Sequence, residues 1–572
     1  MKTRQQIIDH YRAHADVSVL IIGAGINGIG TFRDLALQGV DVLLVDKADY
    51  CSGASAASSR QAHGGLRYLE HGDFRLVRES LAERNCLLRN APHAVELLPT
   101  TIPLYSWFSG MLNAPLKFIG LLKKPSERGY LVVKLGMMLY DWFTRHDRMT
   151  PTHKMLSRAQ AIIKHPKLNR NVIGAATYYD CQMPQAERIG VELALDAQTD
   201  SEAAHALNYC GVVGGTKDTV ELRDETSGQR FSVRPKLVIN AGGAWIDFVN
   251  RALNKPTQYI GGTKGSHIVV DNPELARVID GSTIYFETLD GRMAIFMPFG
   301  DKVIIGATDI RCEEPDQAIC SDEEIDYFLR FADQTLPGIK VDRSQIVFHF
   351  CGVRPLPSSD VEFVGLVTRD HRICEIPADS SIHFPVYSLV GGKWTTYRAL
   401  SAQTTDKALA FLGKSRRAST EHLPIGGGQQ YPRDAAGRQQ WLNDTAAATG
   451  VSLEHITTLF GRYGTRAAAV ARYIAAGADA PLDGLPSFTR REIQFLATHE
   501  QVIHLDDLLL RRSWIAMLGL LNSAALASIA QACAAVLNWS PSQVQDEITR
   551  TVTILTTRNG VPAARLAGGE PG

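Results

Sequence analysis

The 572-residue sequence predicts an α/β protein, α+β overall, that ends in an all-helical domain. Three observations predict this fold class. A βαβ unit occupies the first fifty residues, strand-like and helix-like segments alternate through the first two thirds, and the remainder is rich in Ala and Leu with almost no strand pattern. A chain of this length exceeds one hydrophobic core, so we expect two or three domains.

The βαβ unit is the clearest local element. Residues 17–23 (VSVLIIG) form a short β-branched apolar run after a polar leader, which is typical of a buried parallel strand. A helix is predicted to continue through residues 31–38, with Gly39 as its C-cap, and residues 41–45 (DVLLV) predict a second strand. Two strands and one helix therefore fit within about thirty residues, the length of one such unit.

Further strands are predicted along the following part of the chain, at residues 237–240, 266–270, 294–296, 303–305 and 345–350. The run Gly426–Gly428, followed by QQYPRD, predicts a linker. Beyond it the sequence predicts a helical domain over residues 429–560.

Composition excludes several classes of protein. Sixty Lys and Arg residues balance sixty Asp and Glu residues, which gives no electrostatic reason to expect nucleic acid as a partner. The nine Cys include no C-x-x-C pair, so we expect a reduced, cytoplasmic protein without a metal site. The amino-terminal segment lacks the apolar stretch of a secretion signal.

Two apolar stretches raise the question of a membrane. Residues 513–545 carry no charge, but Asn522-Ser523 and Ser540-Pro541 predict helix starts that divide the stretch into shorter buried helices, with a membrane span as the alternative. Residues 107–145 combine apolar runs and aromatic ends with lysines. Such a segment is typical of a basic amphipathic surface on an anionic membrane, and the alternative is an apolar face packed on the protein itself.

The first chemical motif is a dinucleotide-binding fingerprint. Gly23, Gly25 and Gly28 form G-x-G-x-x-G between the first strand and its helix, with Asn27 inside the motif. The helix start offers free N–H groups to phosphates, and Asp46 follows the second strand, where a carboxylate accepts ribose hydroxyls. A chance Gly-rich turn is the alternative interpretation.

The sequence that follows narrows the choice of dinucleotide. Residues 52–59 are all small and include Ser58 and Ser59, so their backbone can lie flat against a wide planar cofactor. A flexible Ser/Ala loop is the alternative. The polar motif HGGLRYLEH comes next and supplies five candidate site residues, namely His63, Gly64, Gly65, Arg67 and Tyr68.

These motifs resemble those of the FAD-dependent (aerobic, respiratory) glycerol-3-phosphate dehydrogenase family. HGGLRYLEH and FRLVRESLAER are similar to its signature, and further similar segments stand at 238–245, 264–270, 352–356 and 391–398. The resemblance extends over residues 15–425, and the tail resembles the family's C-terminal domain at residues 462–466 and 506–512.

The resemblance implies an FAD-binding Rossmann-like domain made of discontinuous segments, about 15–105, 155–260 and 350–425. A β-rich substrate domain, about 260–350, is inserted into it, and an all-helical domain follows. The cofactor-binding residues that it implies are Gly23, Gly25, Asn27, Gly28, Asp46, Ser58, Ser59, His63, Gly64, Gly65, Ala241, Gly242, Gly392, Lys393, Thr395 and Thr396.

The implied reaction is oxidation of sn-glycerol 3-phosphate to dihydroxyacetone phosphate, with hydride transfer to flavin N5 and electrons passed to a quinone. The resemblance also implies peripheral contact with the inner face of the cell membrane and is compatible with a homodimer.

Arg67, Arg354 and Lys393 are the cations that stand inside Gly-rich motifs, and with Tyr68 and His267 they match substrate-binding residues of the family. A structural ion pair is the alternative for each arginine. Lys393 has a second interpretation, stabilisation of negative charge on the reduced flavin. Helix-start capping is the alternative for Thr395 and Thr396.

The catalytic candidates are His267, His63 and Arg354. Either imidazole suits a base near neutral pH, whereas a guanidinium stays protonated and is a poor base. A buried structural role is the alternative for both histidines.

The chain departs from the family pattern in three places. Ser59-Arg60 replaces a common Ser-Lys, residues 179–188 lack the Asp of an Asp-Ala-Arg triplet, and a hydrophobic insertion stands near residues 107–135. These departures leave open another polyol phosphate, such as erythritol phosphate, or oxygen as electron acceptor. A glycine-oxidase-like amine oxidase and a non-catalytic flavoprotein are less favoured, because several cations point to a phosphate.

Overall fold

The computed structural model of the protein describes residues 2–65, 73–108, 129–145, 147–287, 293–358 and 370–566 (the described residues). The strands in them are β1 (Asp16–Ile22), β2 (Val42–Val45), β3 (Gln61–Ala62), β4 (Glu96–Leu104), β5 (Lys154–Ser157), β6 (Gly174–Gln182), β7 (Ala204–Leu207), β8 (Cys210–Gly215), β9 (Val220–Asp224), β10 (Arg230–Asn240), β11 (Thr263–Val270), β12 (Thr283–Glu287), β13 (Met293–Phe299), β14 (Lys302–Gly306), β15 (Ile310–Arg311), β16 (Ile346–Arg354), β17 (Arg372–Ile376), β18 (Val386–Val390), β19 (Pro481–Leu482) and β20 (Leu485–Thr489).

The α-helices of the same residues are α1 (Arg4–Ala13), α2 (Ile26–Leu37), α3 (Phe74–Asn90), α4 (Tyr130–Thr144), α5 (Arg158–Lys164), α6 (Ala186–Asp200), α7 (Ile246–Ala252), α8 (Pro273–Ile279), α9 (Asp322–Thr335), α10 (Tyr397–Phe411), α11 (Ala435–Thr449), α12 (Leu453–Tyr463), α13 (Ala467–Ala475), α14 (Arg490–His499), α15 (Leu505–Asp507), α16 (Ser523–Leu537), α17 (Pro541–Thr557) and α18 (Ala563–Leu566). Short 3₁₀ turns occur at Gly243–Trp245, Pro315–Gln317, Arg343–Gln345, Gly426–Gly428 and Gly464–Arg466, and a π-turn at Leu508–Arg512.

The first sheet contains the predicted βαβ unit. Its strand order is β17-β18-β10-β1-β2-β7, in which β18, β10, β1, β2 and β7 are parallel and β17 is an antiparallel edge; β8 and β9 continue from β10. Helices α2, α6 and α10 cover one face, and α1 with β8 and β9 covers the other. Burial on both faces explains why the parallel strands are continuous apolar runs.

The second sheet is larger and mostly antiparallel. Its order is β15-β11-β14-β13-β12-β4-β6-β3, with β16 beside β11 and β5 beside β6. Side chains alternate between two cores, since Ile295, Met297 and Phe299 of β13 face the C-terminal helices, whereas Ala294 and Phe296 face α8 and α9. The sheet is therefore covered on one side by the helical domain.

Buried ion pairs also join the helical domain to the rest of the chain. Arg188 at the start of α6 contacts Glu500 at 2.7 Å, and Arg511 and Arg512 both contact the buried carboxylate of Asp49. The domain is helical apart from the short hairpin β19–β20.

The predicted division of residues 513–545 into shorter helices is confirmed. The side chains of Asn522 and Ser540 accept the first backbone N–H bonds of α16 and α17. In the described parts of the chain, the helices all fall short of the length and apolar character that crossing a bilayer requires.

The prediction of a linker at Gly426–Gly428 is wrong. All three glycines are buried, and a Cβ on Gly427 would stand 2.0 Å from the carbonyl oxygen of Tyr463. Backbone N–H groups of Gly426 and Gly427 donate to the carboxylates of Asp196 and Glu192 on α6. Glycine is needed at these three positions because the backbone packs closely against its neighbours. The segment is therefore not a flexible linker between the domains.

The predicted division of the first 425 residues also needs correction. Segments 96–104 and 174–182, predicted within the FAD-binding domain, form the strands β4 and β6 of the second sheet. The strand that joins β4 to the rest of this sheet, β12, lies far along the chain, so no local pattern specified the sheet to which β4 and β6 belong.

Candidate functional site

The carboxyl ends of parallel strands β1, β2, β10 and β18 meet at one edge of the first sheet. Four predicted motifs follow directly from these ends, because a parallel sheet brings successive strand-to-helix turns to the same side. They are Gly23 to Gly28 after β1, Asp46 after β2, Ala241 and Gly242 after β10, and Gly391 to Thr396 after β18. The structure therefore brings together the predicted cofactor motifs.

The glycines of the first motif are required by close backbone contacts. Gly23 has φ +105°, and a Cβ there would stand 2.5 Å from the carbonyl oxygen of Ala241. A Cβ on Gly28 would stand 1.9 Å from the carbonyl oxygen of Gly23. Gly25 is the N-cap of α2 and makes no side-chain cap bond, so this helix start presents backbone N–H groups at the strand ends.

Asp46 is positioned by two backbone N–H groups. They belong to Ala24 at 2.6 Å and Ala48 at 2.9 Å. Burial raises the pKa of this carboxyl to about 6, and the two hydrogen bonds oppose the shift only in part. The carboxylate lies where the fingerprint predicts an acceptor for ribose hydroxyls.

The segment from Gly391 to Thr396 packs directly on the Gly23 to Gly28 motif. The amide of Asn27 donates to the carbonyl oxygen of Gly391 at 3.3 Å, and a Cβ on Gly392 would stand 2.5 Å from the same amide nitrogen. The amide oxygen of Asn27 is buried and has no hydrogen-bond partner among the described residues. An unsatisfied buried acceptor at this position is consistent with a bound group that donates to it.

Residues 51–65 lie between the two sheets. Ser55 accepts the backbone N–H of Ile26 at 3.0 Å on the first sheet's side, and a Cβ on Gly352 of β16 would stand 2.4 Å from Ala57 on the other side. The backbone N–H of His63 donates to the Thr395 hydroxyl at 3.2 Å. This segment therefore connects the cofactor motifs to the second sheet.

His267 is fully enclosed at the second sheet. Its Nε2 lies 2.9 Å from the Ser59 hydroxyl, and its ring stacks on Phe350 with centroids 4.8 Å apart. The other ring nitrogen, Nδ1, has no partner among the described residues. Burial, together with the charges of Arg354 and Arg60, lowers the pKa of the imidazole to about 3, so the ring is neutral at pH 7.

Arg354 ends β16 beside a glycine that makes room for it. A Cβ on Gly265 would stand 2.0 Å from its guanidinium, which donates to the Thr308 carbonyl oxygen at 3.2 Å and to Asp309 at 3.1 Å. The alternative of an ion pair is thus realised with Asp309, in a side chain that stays partly exposed. A guanidinium with five donors retains the geometry to bind an anion as well.

Glu324 supports the position of Arg354 through Thr308, and the sequence analysis did not predict this role. Its buried carboxylate accepts hydrogen bonds from Lys264, Ser266 and Thr308, the last of which also carries the carbonyl that holds Arg354. Burial raises the pKa of the carboxyl, but the hydrogen bonds, that of Lys264 foremost, lower it below its ordinary value overall. Glu324 therefore stays ionised and fixes the Thr308 loop.

The loop that begins the HGG motif has a second support that was missed. The backbone N–H of Gly64 donates to the buried carboxylate of Asp180 at 2.9 Å, which also accepts from Tyr140 at 2.8 Å and from Arg84. A Cβ on Gly64 would stand 2.2 Å from the Tyr140 hydroxyl. Asp180 stands within residues 179–188, where the sequence analysis compared the chain with the family pattern, and this segment was the available signal for it.

The remaining predicted residues divide into three groups. Lys393 donates to the Ser80 hydroxyl at 3.4 Å, and Ser58 accepts the backbone N–H of Arg60 at 3.1 Å. Thr396 is the N-cap of α10 but makes no cap bond, and its buried hydroxyl has no partner among the described residues. Arg67 and Tyr68 lie outside the described residues.

These observations test the site for a flavin dinucleotide. A helix start whose N-cap is a glycine, a carboxylate after β2 and glycines without space for a Cβ suit its pyrophosphate and ribose. The unpartnered oxygens of Asn27 and Thr396 suit polar atoms of the same group. Within the described ranges, no cluster of His, Cys, Asp or Glu has an arrangement that could hold a metal ion.

The sequence matches known protein families whose descriptions agree with a flavin dinucleotide site. Residues 18–376 match the family described as FAD dependent oxidoreductase, and residues 418–544 match the C-terminal domain of alpha-glycerophosphate oxidase. A glycerol-3-phosphate dehydrogenase from Synechocystis sp. is 35% identical, over 93% of this chain and 94% of that protein. A D-erythritol 1-phosphate dehydrogenase from Brucella abortus is 30% identical, over 86% of this chain and 91% of that protein.

A solved structure shows the same fold. It is the glycerol-3-phosphate dehydrogenase from Bacillus halodurans complexed with FAD, with a TM-score of 0.73 at 21% identity and 97% of each chain covered. The chain therefore belongs to the FAD-dependent oxidoreductase family and, within it, to the glycerol-3-phosphate dehydrogenases. The family and fold class predicted from the sequence motifs are confirmed.

Proposed function

We propose that this protein oxidises the secondary hydroxyl of sn-glycerol 3-phosphate to give dihydroxyacetone phosphate, with FAD as its cofactor. The observation that carries the proposal is the placement of residues 51–65, which connect the motifs at the strand ends of the first sheet to His267 and to β16, the strand that ends at Arg354. The glycerol-3-phosphate dehydrogenase from Synechocystis sp. supports this choice of substrate through its 35% identity over nearly the full chain.

Bound FAD would supply a hydride acceptor at flavin N5. The pyrophosphate and ribose would be held by Gly23, Gly25, Gly28 and Asp46, and the flavin half by Asn27, Ser58, Ser59, His63, Gly64, Gly65, Ala241, Gly242, Gly392, Lys393, Thr395 and Thr396.

Arg354 and Lys393 are proposed to bind the substrate phosphate, together with Arg67 and Tyr68 from the HGGLRY motif. A guanidinium forms paired hydrogen bonds to a phosphate, and fixed cations orient the reacting carbon. The buried support of Arg354 by Thr308 and Glu324 limits its freedom before the substrate arrives. A site with such cations suits a phosphorylated polyol better than an amino acid.

His267 is proposed as the group that accepts the hydroxyl proton, with His63 as the second candidate. Its imidazole is neutral at pH 7 and retains an unpartnered nitrogen among the described residues. A phosphate that pairs with Arg354 would offset the charge that depresses the imidazole pKa, so binding of the substrate would make His267 a better base. The hydroxyl loses its proton to the imidazole, and the carbon loses a hydride, which leaves the ketone.

The test is anaerobic mixing of the purified flavoprotein with sn-glycerol 3-phosphate, followed by absorbance at about 450 nm, where oxidised flavins absorb. We expect rapid bleaching. D-erythritol 1-phosphate is the matched alternative, because the Brucella abortus relative is named for it. Faster bleaching with erythritol phosphate would change the substrate but keep the mechanism, and no bleaching with either compound would refute the phosphate site.

Membrane association is the second part of the proposal. The outer side of α4 exposes an apolar stripe, the docking stripe, formed by Leu131, Leu135, Met138 and Trp142 at 42%, 61%, 54% and 49% exposure. Val133, Met137 and Tyr140 on the opposite side are buried in the protein. This arrangement favours the amphipathic interpretation for Tyr130–Thr144 over an apolar face packed on the protein, whereas residues 109–128 of the predicted segment lie outside the described residues.

We propose that the docking stripe contacts the inner face of the cell membrane, where electrons pass to a quinone. Arg145 stacks on Trp142 with its guanidinium carbon 4.9 Å from the ring centre, which places a cation at the edge of the stripe. Flotation with phosphatidylglycerol vesicles tests the contact. We expect Leu135→Glu with Trp142→Glu to abolish flotation and Ile163→Glu, at another exposed apolar residue, to retain it.

A further inference from the structure

Arg60 is buried beside His267 although the sequence around it is a small-residue turn. Its side chain is 1% exposed, and its backbone has φ +53°, a conformation in which residues other than glycine are strained. Its neighbour Ser59 is the residue that contacts His267 Nε2. An arginine in such a conformation indicates that its side chain is needed where it lies.

The guanidinium of Arg60 is fixed by groups from three parts of the chain. It pairs with the carboxylate of Glu187 on α6 and donates to the carbonyl oxygens of Pro184 at 2.8 Å and Ala56 at 3.3 Å. It also contacts the Met517 sulfur of the helical domain at 3.0 Å. The contact with Met517 links the helical domain directly to the turn that holds His267.

Aromatic rings complete the connection to the imidazole. The guanidinium carbon lies 5.8 Å from the ring centre of Phe350, the residue on which His267 stacks, and 5.6 Å from that of Phe299. Phe350 and Phe299 belong to the same core cluster as Met517. Arg60 is therefore placed where the core of the helical domain meets the residues that hold His267.

We propose that Arg60 is a positioning residue through which the helical C-terminal domain holds His267 in the orientation that the reaction requires. The inference rests on the proposed function of His267 as proton acceptor. It gives the helical domain a role in turnover. Contacts from this domain would hold one side of the His267 imidazole, while the other side faces the substrate. A lysine at this position would lack the fork that contacts Glu187, Pro184 and Ala56 together.

The test compares flavin reduction in wild type, His267→Gln, the double variant Arg60→Met with Glu187→Met, and their combination. Removing both partners of the buried pair avoids an unpaired carboxylate. We expect the double variant to slow reduction at saturating sn-glycerol 3-phosphate about 10- to 100-fold, the cost of a misplaced catalytic group. FAD content, and the Kd of dihydroxyacetone phosphate for the oxidised enzyme, should stay within about twofold of wild type, as for sites that act independently.

The combination with His267→Gln distinguishes positioning from a general structural role. If Arg60 acts through His267, the double variant adds less than about twofold to the loss in the His267→Gln background. Full additivity, or loss of FAD and of product binding, would overturn the inference. A normal reduction rate in His267→Gln alone would instead refute the proposed proton acceptor, whatever Arg60 does.

Three further variants complete the test. Arg33→Met with Asp196→Asn removes a pair that is similarly buried at the far end of α2, and it should leave the reduction rate within about twofold. If the Arg60 and Glu187 double variant does not fold, Arg60→Lys replaces it in the same cycle, since it keeps the charge and loses the fork. If Arg60→Lys and Met517→Ala both fold and both leave the reduction rate unchanged, the inference would be overturned.

Discussion

The two sheets that meet at the site hold their functional groups by different means. The first sheet uses backbone: glycines at strand ends, a helix start and two N–H groups that position Asp46. The second uses buried side chains, with Glu324 behind Thr308 and Arg354, and Ser59 and Phe350 around His267. The first is therefore most sensitive to an added atom, and the second to the removal of a charge or a donor.

The largest expected effect is that of Gly28→Ala in the first sheet. Its Cβ would stand 1.9 Å from the Gly23 carbonyl oxygen, a backbone atom that cannot move without displacing β1. We expect loss of bound FAD and a decrease of about 3 kcal/mol in the free energy of unfolding. The FAD-to-protein absorbance ratio and chemical denaturation measure the two effects.

Gly136→Ala in α4 is the control for that variant. No described atom lies within 4 Å of its Cβ position, so the change should stabilise the helix by about 0.5–1 kcal/mol. Normal FAD content in Gly28→Ala would contradict the view that this site depends on close backbone contact.

The next effect concerns Arg354 in the second sheet. Arg354→Met removes charge-assisted hydrogen bonds to phosphate, so we expect KM for sn-glycerol 3-phosphate to rise about 10- to 100-fold while FAD content is unchanged. Steady-state kinetics with an artificial acceptor provide the measurement. Arg343→Met, at an exposed arginine that pairs with Asp322 and Asp326, should change KM less than about twofold. Equal effects of the two variants would rule out Arg354 as a phosphate ligand.

A pH titration tests Asp46 on the first sheet. Because the pKa of its carboxyl is raised to about 6 and ribose hydroxyls bind the ionised form, FAD binding should release a proton. Affinity of the apoprotein for FAD should therefore fall about tenfold from pH 7 to pH 5, as one protonation predicts. Fluorescence titration measures this, and Asp46→Asn should bind FAD more weakly with no such slope. A slope that persists in Asp46→Asn would assign the proton to another group.

The smallest effect is expected for Glu324→Gln on the second sheet. A carboxyl with a lowered pKa contributes stability above its ordinary pKa range, and this contribution is lost as pH falls through the lowered value. The variant should lose about 1–2 kcal/mol of unfolding free energy at pH 7, the cost of a buried hydrogen-bonded group, and progressively less in acid. Thermal melting at several pH values checks this.

Glu323→Gln is the matched control, since Glu323 is the exposed neighbour on the same turn of α9. The pKa of this carboxyl is also lowered, by its hydrogen bond to Ser321, but the group is fully exposed, so its substitution should change the melting temperature much less than Glu324→Gln does. A difference between wild type and Glu324→Gln that grows in acid would show that the assigned direction of the pKa shift is wrong.

Sequence reasoning predicted the strands and turns that carry the first sheet's motifs nearly completely, because their signals are local. The strand, G-x-G-x-x-G and Asp46 lie within about thirty residues, the span of one βαβ unit. The predicted strands at residues 237–240, 266–270, 294–296, 303–305 and 345–350 lie within or nearly within β10, β11, β13, β14 and β16.

The second sheet's supports were missed because they depend on distant partners. Glu324 follows Ser321 by three residues and also forms a capping box, so a helix start accounts for it fully in sequence. Only the fold shows that the same carboxylate holds Thr308. The three glycines at Gly426–Gly428 were misread for the same reason, since only their neighbours Glu192, Tyr463 and Asn90 reveal close packing.

The core shared by the second sheet and the C-terminal helices has a consequence for synthesis of the protein. Val269, Phe348 and Phe350 are buried against helices that begin after residue 434. On the ribosome, this apolar face must wait for the last quarter of the chain to emerge before it is covered. Nascent chains that stop short of the helices would present that face to chaperones and to one another, so premature termination should yield aggregates in place of a smaller active enzyme.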